Sequence, residues 1–284
     1  MIRMNTSIHF RWLGVAGIEL PANGSTLLID PCFTRPRWWH LGFGRVRPDS
    51  RLVAEHIQAG DYVLVSHAHW DHLMDVPEVL RHTGGLALGS PNTCRLLAAC
   101  GVPAGQVRGI RAGQQLRLGD LNVTVLPAQH IRLPGFGPGR LSPWLRPPLR
   151  LRDYRMDCCF SFLVEGDGLR LLDWCGLGRA PAPSAEVLCV APYAPSAYYR
   201  ALLSQVEPRL IVPVHWDDPF RPLSRPVRPF FQAPRWGWPP MGRVKLTEFR
   251  RVVEETLPEA QVLIPEMLRV YDLGYRVGAI SQSR

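Results

Sequence analysis

The stretch Val63-Leu64-Val65-Ser66-His67-Ala68-His69-Trp70-Asp71-His72 carries the strongest indication of fold and function in this chain. Its apolar beginning, residues 61–65, predicts a buried strand. An amphipathic segment starts at Asp71-His72, so the polar cluster lies at a strand-to-helix corner, which opens at the carboxyl edge of a sheet. There His67 and His69 can converge on one cation while Asp71 and His72 face a second. Imidazole and carboxylate together suit Zn, Mn or Fe better than Ca or Mg, so the stretch predicts a transition-metal site.

The alternative is that these side chains are ordinary surface or packed residues, which is the usual fate of a lone histidine. Four ligand-type side chains fall within six positions here, directly after a hydrophobic strand. That density favours a metal site over ordinary surface or packed residues.

The His-x-His-x-Asp-His pattern resembles the signature of the metallo-β-lactamase superfamily, and the later ligands of that family have matches in the same order. They are His130, Asp173 and His215, and each ends an apolar run. Taken alone, either histidine would more often be a satisfied residue at a strand end, and Asp173 would equally fit a turn. Together with the first cluster they complete seven ligands in the family's order.

The resemblance implies a dinuclear site with two divalent metal ions. One ion would bind His67, His69 and His130, the other Asp71, His72 and His215, with Asp173 bridging them. Zinc is the default, and Mn or Fe would suit the same ligands. Trp174 follows Asp173 where many relatives have a small residue, which changes the expected pocket floor and not the ligand.

The fold implied by the resemblance is α/β, a four-layer αβ/βα sandwich of metallo-β-lactamase type, whereas periodicity alone predicts only mixed α/β. The segments 10–17 and 27–31 resemble the branch containing ascorbate-6-phosphate lactonase and N-acyl-phosphatidylethanolamine phospholipase D, although a generic buried hairpin would explain them equally well. We expect one domain over 1–284, with irregular loops at 31–51, 131–158 and 217–243. Loops of that length are more typical of pocket walls, lids or an oligomer surface than of random coil.

Composition favours a globular protein, since 46% of the 284 residues are hydrophobic and 20% are charged. An uninterrupted apolar run of the length of a membrane span is not found in the sequence, and the N-terminus lacks the apolar core of a signal peptide. Cytoplasmic residence without a transmembrane anchor is therefore expected. The seven cysteines are scattered and odd in number, which argues against a disulfide framework.

The net charge of +9 comes almost entirely from arginine, since Lys245 is the only lysine. It favours an anionic partner, although codon composition would produce the same bias. The loop after His130 is rich in arginine, including Arg132, and in proline. We predict that Arg150, Arg152, Arg155 and Trp144 bind an anionic substrate, with Trp38 or Trp39 covering its apolar part. The competing interpretation is that these arginines only solvate an exposed loop.

These features predict a metal-dependent hydrolase, of lactonase or phosphodiesterase type, in which a metal-bridging hydroxide attacks an ester-type bond. The bond would belong to a lactone, a carboxylic ester or a phosphodiester in a small-molecule or lipid-like anionic substrate. Asp71 would hold the hydroxide and carry a proton. Tyr193 is a candidate oxyanion donor, although an interior tyrosine with a satisfied hydroxyl is an equal alternative.

Two other classes of function stay open. A nuclease acting on RNA or DNA is disfavoured, because none of the insertions is long enough to form the added domain of such enzymes. A non-hydrolytic member, either a di-iron redox protein or a binding module, would usually carry an added flavin or persulfide domain, and about 69 residues follow His215. A β-lactamase is disfavoured because Asp173 stands where one large group of those enzymes has cysteine. An oligomer remains open.

Overall fold

The computed structural model describes residues 8–131, 138–177, 181–231 and 242–282. The strands of the first part of the chain are β1 (His9–Gly14), β2 (Gly17–Ala22), β3 (Ser25–Ile29), β4 (Tyr62–Leu64), β5 (Leu86–Gly89) and β6 (Val107–Gly109). They are followed by β7 (Gln115–Leu118), β8 (Leu121–Ala128), β9 (Cys159–Gly166), β10 (Leu169–Trp174), β11 (Val187–Val190), β12 (Leu210–Pro213), β13 (Gln261–Val262) and β14 (Val270–Asp272). The helices are α1 (Ser50–His56), α2 (Trp70–Leu73), α3 (Val76–Thr83), α4 (Pro91–Ala99), α5 (Ser196–Val206), α6 (Leu246–Thr256) and α7 (Leu273–Gln282). Short 3₁₀ turns lie at Trp38–Leu41, Ala104–Gln106 and Leu151–Asp153.

The strands form two seven-stranded sheets, in the orders β14-β1-β2-β3-β4-β5-β6 and β13-β12-β11-β10-β9-β8-β7. In the first sheet β14, β1, β2 and β3 pair antiparallel, and β3 to β6 pair parallel. The second sheet repeats this plan, with β7 to β10 antiparallel and β10 to β13 parallel. Parallel strands need crossover connections, and the helices supply most of them.

The apolar side chains form three layers of core. The inner faces of the two sheets meet in one cluster that includes Phe10 and Trp12 from the first sheet and Phe162 and Leu171 from the second. The outer face of the first sheet packs against α1, α3 and α4. The outer face of the second packs against α5 and α6, for example through Phe249. The result is helices, sheet, sheet and helices, which confirms the four-layer αβ/βα sandwich.

Local features of the sequence explain where several elements begin and end. The Gly119-Asp120 turn joins β7 to β8, and the turn at 166–168 joins β9 to β10. Ser90 caps α4, since its hydroxyl accepts from the Thr93 N–H at 3.2 Å and Pro91 takes the first helical position.

Other parts of the fold have no local signal in the sequence. The start of α5 has no side-chain cap, because Ser196 is the first helical residue and the flanking residue Pro195 offers no side-chain acceptor. After α6 the chain continues through β13 and β14 to α7. The pairing of β14 with β1, which puts Tyr271 opposite Phe10, joins residues that are far apart in sequence.

Two of the segments expected to be irregular pack against each other. The Val46 N–H donates to the Leu149 carbonyl at 2.9 Å, and Arg45 Nη1 donates to the Pro148 carbonyl at 2.7 Å. The amide of Asn92 in α4 donates to the Gly139 and Arg155 carbonyls. The part of this loop at 138–158 is therefore anchored to the first sheet's helices, and Arg132 of the same loop lies outside the described residues.

Within the described part of the chain, no helix is long and apolar enough to cross a membrane.

Candidate metal centre

The carboxyl ends of several strands meet at one edge of the sandwich. Ser66 and His67 follow β4 in the chain, His130 follows β8, and His215 follows β12. The two sheets touch here, because the Phe160 N–H at the start of β9 donates to the Ser66 carbonyl at 2.9 Å. Strand ends at one edge bring their following side chains together, which is how ligands distant in sequence become neighbours.

The first group of ligand-type side chains consists of His67, His69 and His130. His67 Nε2 lies 3.1 Å from His69 Nδ1, and the ring centre of His130 lies 4.7 Å from that of His67 and 4.6 Å from that of His69. One ligand atom from each residue lies within 4.8 Å of the others. His130 Nδ1 contacts the Ile131 carbonyl, which only accepts, so Nδ1 carries the proton and Nε2 keeps its lone pair for a metal.

The second group consists of Asp71, His72 and His215. His215 Nε2 lies 3.2 Å from His72 Nε2 and 3.4 Å from Asp71 Oδ2. His215 has φ +57°, and its backbone N–H donates to the Val15 carbonyl at 2.7 Å, which fixes the strand end that presents the ring. Its Nδ1 is buried and has no hydrogen-bond partner in the described part of the chain.

The two groups are neighbours, because the rings of His67 and His72 have centres 3.9 Å apart. Within each group, nitrogen and oxygen atoms with lone pairs lie close together. Such atoms repel one another unless a proton or a cation lies between them, and a metal ion would bind all three at once. The donor set therefore fits two metal ions of the type that prefers imidazole with some carboxylate.

Asp30, which follows β3, holds the second group from behind. Its Oδ2 lies 2.7 Å from His72 Nδ1, its Oδ1 accepts from the Ser66 N–H at 2.7 Å, and the Ser66 hydroxyl also donates to it. A carboxylate on one ring nitrogen fixes the tautomer and aims the other nitrogen at a metal. This role of Asp30 was not predicted from the sequence, although a carboxylate directly after an apolar strand is a feature that could have indicated it.

Burial sets the charge of the first group. It lowers the pKa of His69 to about 3 and that of His130 to about 4, and it lowers the pKa of His67 well below its ordinary value. Neighbouring histidines add to the effect. All three imidazoles are therefore neutral near pH 7, which is the form that binds a metal.

The second group is charged in the metal-free protein. Burial lowers the pKa of His72, but the negative charges of Asp30 and Asp71 outweigh it and raise that pKa to about 9. For Asp71, burial raises the pKa, but His72 and His215 hold it well below its usual range. His72 is accordingly protonated at neutral pH and must lose that proton before Nε2 can bind a metal.

This difference predicts unequal proton release by the two groups. At pH 7 the three histidines of the first group should release almost no protons when a metal binds, and the second group should release about one, from His72. Asp173, whose pKa is raised to about 8, should release about one more in the step in which it binds a metal. Below pH 9 the affinity of the second group should fall about tenfold per pH unit until another ligand titrates. Calorimetric titration in buffers of different ionisation enthalpy measures the release. Release of no protons over the two binding steps together would contradict the protonation assigned to His72.

Asp173 does not belong to either group. Its side chain is 5% exposed on the inner face at the end of β10, where it pairs with Phe162 and Cys189. Burial and the nearby charge of Asp30 raise its pKa to about 8. The groups therefore contain six of the seven residues predicted as ligands, and a bridging role for Asp173 stays a prediction.

Two cysteines lie beside the first group. Cys175 Sγ is 3.6 Å from Cys159 Sγ and 3.9 Å from His67 Nδ1. All seven cysteines are free thiols. A hydrogen bond with Cys159, together with burial, raises the pKa of Cys175 well above its ordinary value, so it is a protonated thiol in the metal-free protein.

The remaining predicted site residues lie further out. The Tyr193 ring makes an edge contact with His215 at a centre distance of 5.9 Å, and burial raises the pKa of its hydroxyl well above the usual value. Arg152, Arg155 and Trp144 are exposed, and Arg150 is half-buried beside the 3₁₀ turn at Leu151–Asp153. Binding of substrate by these four residues stays a prediction.

Comparison with known proteins identifies the class. A model of the beta-lactamase superfamily domain matches residues 25–178, which is more than half of the chain. The chain therefore belongs to the beta-lactamase superfamily.

Curated relatives carry the name UPF0173 metal-dependent hydrolase. The protein of Pyrobaculum arsenaticum is 29% identical over 124 residues, which cover 43% of this chain and 51% of that protein. The chain thus spans about half the length of that relative. The protein of Archaeoglobus fulgidus is 25% identical over 217 residues, which cover 72% of this chain and 82% of that protein.

Among solved structures, Igni18, a metallo hydrolase from Ignicoccus hospitalis, superposes with a TM-score of 0.60 at 18% identity. The match covers 94% of this chain and 98% of that protein. At this identity the likeness is one of fold.

Proposed function

We propose that this protein is a hydrolase that uses two divalent metal ions to cleave an ester-type bond. The observation that carries the proposal is the pair of three-residue groups whose ligand atoms face one another at the strand ends. The name shared by the curated relatives, metal-dependent hydrolase, supports it. The same proposal places the chain in the branch that contains ascorbate-6-phosphate lactonase and N-acyl-phosphatidylethanolamine phospholipase D.

The protein's own residues would hold the ions as follows. His67, His69 and His130 would bind one, and Asp71, His72 and His215 would bind the other, with Asp30 fixing the His72 tautomer. Asp173 would complete the site from the inner face. Bound there, two adjacent metal ions would supply Lewis acidity, which makes water easier to deprotonate near neutral pH and polarises the oxygen of the bond that is cleaved. Zinc is the ion that we propose, because three neutral imidazoles form the first group.

Two side chains would handle protons and charge. Asp71, whose Oδ2 faces His72 and His215, would accept a proton from the attacking water and pass it to the leaving oxygen. Tyr193 keeps its phenolic proton and lies against His215, so its hydroxyl would donate to the oxyanion that forms on the substrate.

The substrate that we propose is an anionic small molecule or lipid-like ester, in the form of a lactone, a carboxylic ester or a phosphodiester. The net charge of +9 supports attraction of an anion. Nucleic acid is not the proposed substrate, and we place the activity in the cytoplasm.

A hydrolysis panel tests this function. Purified protein is stripped with a chelator, reloaded separately with Zn, Mn or Fe, and assayed against lactones, carboxylic esters, phosphodiesters, phospholipids and single-stranded RNA. The expected result is hydrolysis of one ester-type class that disappears on stripping and returns on reloading. Undiminished hydrolysis by fully stripped protein, or cleavage of RNA alone, would overturn the proposal.

A further inference from the structure

Arg35 is a buried arginine with unused hydrogen-bonding capacity. Its side chain is 3% exposed, and Nη2 lies 3.2 Å from Asp217 Oδ2. Nε and Nη1 are also buried and have no hydrogen-bond partner in the ranges that the structure describes. A guanidinium offers five N–H donors in a rigid fork, and donors left unpaired away from water are costly. Such a group needs a second acceptor besides Asp217.

The surrounding chain fixes this guanidinium in place. A Cβ atom at Gly14 would lie 2.3 Å from Arg35 Nη2, so the missing side chain of Gly14 makes room for the fork. Gly14 also has φ +92°, which other residues rarely adopt. Asp217, the partner of Arg35, is held by the Val15 N–H, which donates to its Oδ1 at 2.8 Å. The position of Arg35 therefore depends on backbone that cannot easily shift.

A pocket adjoins this guanidinium. It is shallow and open to solvent, and its charged lining consists of Arg35, Arg221, Arg225, Arg228, Asp217 and Asp218. Four arginines against two aspartates leave a formal charge of +2. Arg228 and Asp218 neutralise each other through a hydrogen bond of 2.7 Å from Nη2. The remaining positive charge favours an anion in the pocket.

The pocket and the candidate metal centre are connected through backbone hydrogen bonds. Asp217 lies two residues after His215, and Val15 holds both, since its carbonyl accepts from the His215 N–H and its own N–H donates to Asp217. Tyr193 lies near both Asp217 and Asp71, because the charges of these two carboxylates add to burial in raising the pKa of its hydroxyl. The pair Arg35–Asp217 and the candidate ligand His215 are therefore positioned by the same residue, Val15.

We propose that this pocket binds an oxyanion group of the substrate, a carboxylate or a phosphate, which accepts from the unpaired N–H groups on one side of the Arg35 guanidinium. Nε–H lies parallel to one N–H of Nη2, and an N–H of Nη1 lies parallel to the other, so either pair matches two oxygens of one oxyanion. That the bound anion is part of the substrate rests on the proposed function. The anion site itself rests on the geometry of Arg35. It places anion selection here rather than on Arg150, Arg152 and Arg155.

Direct binding tests the pocket without catalysis. Calorimetric titration with inorganic phosphate, and separately with acetate, is carried out on the metal-loaded protein and on Arg35→Met. We expect Arg35→Met to weaken binding of at least one anion by about tenfold or more, since charge-assisted hydrogen bonds are the strong ones. Arg251→Met, at an exposed arginine of α6 that pairs with Glu255, should leave anion binding unchanged. Equal binding by wild type and Arg35→Met would place the anion on the metal ions and overturn the proposal.

Two further variants guard against misfolding. Arg35→Met leaves Asp217 buried without its partner, so the double variant Arg35→Met/Asp217→Asn removes that charge while an Asn oxygen still accepts from Val15. It should fold and bind phosphate as weakly as Arg35→Met. Asp217→Asn alone leaves the guanidinium less neutralised and should bind phosphate severalfold more tightly. Weaker binding in Asp217→Asn together with unchanged binding in the double variant would contradict the assignment.

Kinetics separate this inference from the proposed function. With a matched pair of esters, one bearing a remote phosphate or carboxylate and one neutral, Arg35→Met should raise KM for the anionic ester and leave the neutral one unchanged. Loss of phosphate binding in a protein that hydrolyses none of the panel would overturn the proposed function and keep the pocket. Hydrolysis of the anionic ester that Arg35→Met does not alter would overturn the pocket and keep the function.

Discussion

Replacement of Asp71 by asparagine is expected to lower kcat by about 10²–10⁴-fold, because a positioned acid or base contributes about that much to proton transfer. The carboxylate is one of three ligands in its group and has Oδ2 3.4 Å from His215 Nε2. Asparagine keeps the shape and one acceptor oxygen but loses the charge and the ability to carry a proton. The measurement is kcat on whichever ester the wild type hydrolyses, together with the metal content of both proteins.

A suitable control is Asp120→Asn, since Asp120 is an exposed turn residue that pairs with Arg117 at 3.3 Å. Its kcat and metal content should match those of the wild type. If Asp71→Asn keeps kcat within about twofold, which is far below the effect of a general base, the role given to Asp71 is wrong.

Replacement of Asp30 by asparagine should weaken metal binding by about 10–100-fold, the usual effect of losing a carboxylate that supports a ligating histidine. The change should also lower the free energy of unfolding by about 1–3 kcal/mol, because an amide cannot accept from all the donors that now reach the carboxylate. Those donors are the Ser66 N–H, the Ser66 hydroxyl and His72 Nδ1. Competition with a chelator measures metal affinity, and urea unfolding measures stability.

Asp61→Asn provides the matched control. Asp61 accepts from the Thr26 N–H at 2.7 Å at the other end of β4, away from the strand ends that carry the histidines. It should lower stability without changing metal affinity. A loss of metal affinity that is equal in the two variants would show that general destabilisation, and not support of His72, accounts for the effect of Asp30→Asn.

The sequence predicted those parts of the site that follow local patterns. The apolar run before His67 and the amphipathic segment after Asp71 correctly predicted a strand leading into a helix. His130 and His215 were singled out by the resemblance to the family's ligand order, and the structure places both at the same edge, where β8 and β12 end. Alternation along a strand and caps at a helix start are short-range features, so one sequence is enough to find them.

Features that depend on long-range packing could not be predicted. The contact of Asp30 with His72 joins residues 42 positions apart, and the pairing of Arg35 with Asp217 joins residues 182 apart. Neither contact has a periodicity, because each depends on the register between strands and on the loops that follow them. The place of Asp173 outside both groups has the same origin, since its position along β10 is set by the pairing with β9 and β11.

The most direct test of the account is a metal titration of stripped protein in which bound ions and ester hydrolysis are followed together. The account predicts about two ions per chain in the wild type, as in other two-metal hydrolases, and hydrolysis that needs both. It also predicts about one ion in each of His130→Ala and His215→Ala, because each variant damages a single group. A full rate of ester hydrolysis with no bound metal, or two bound ions per chain in both variants, would contradict it.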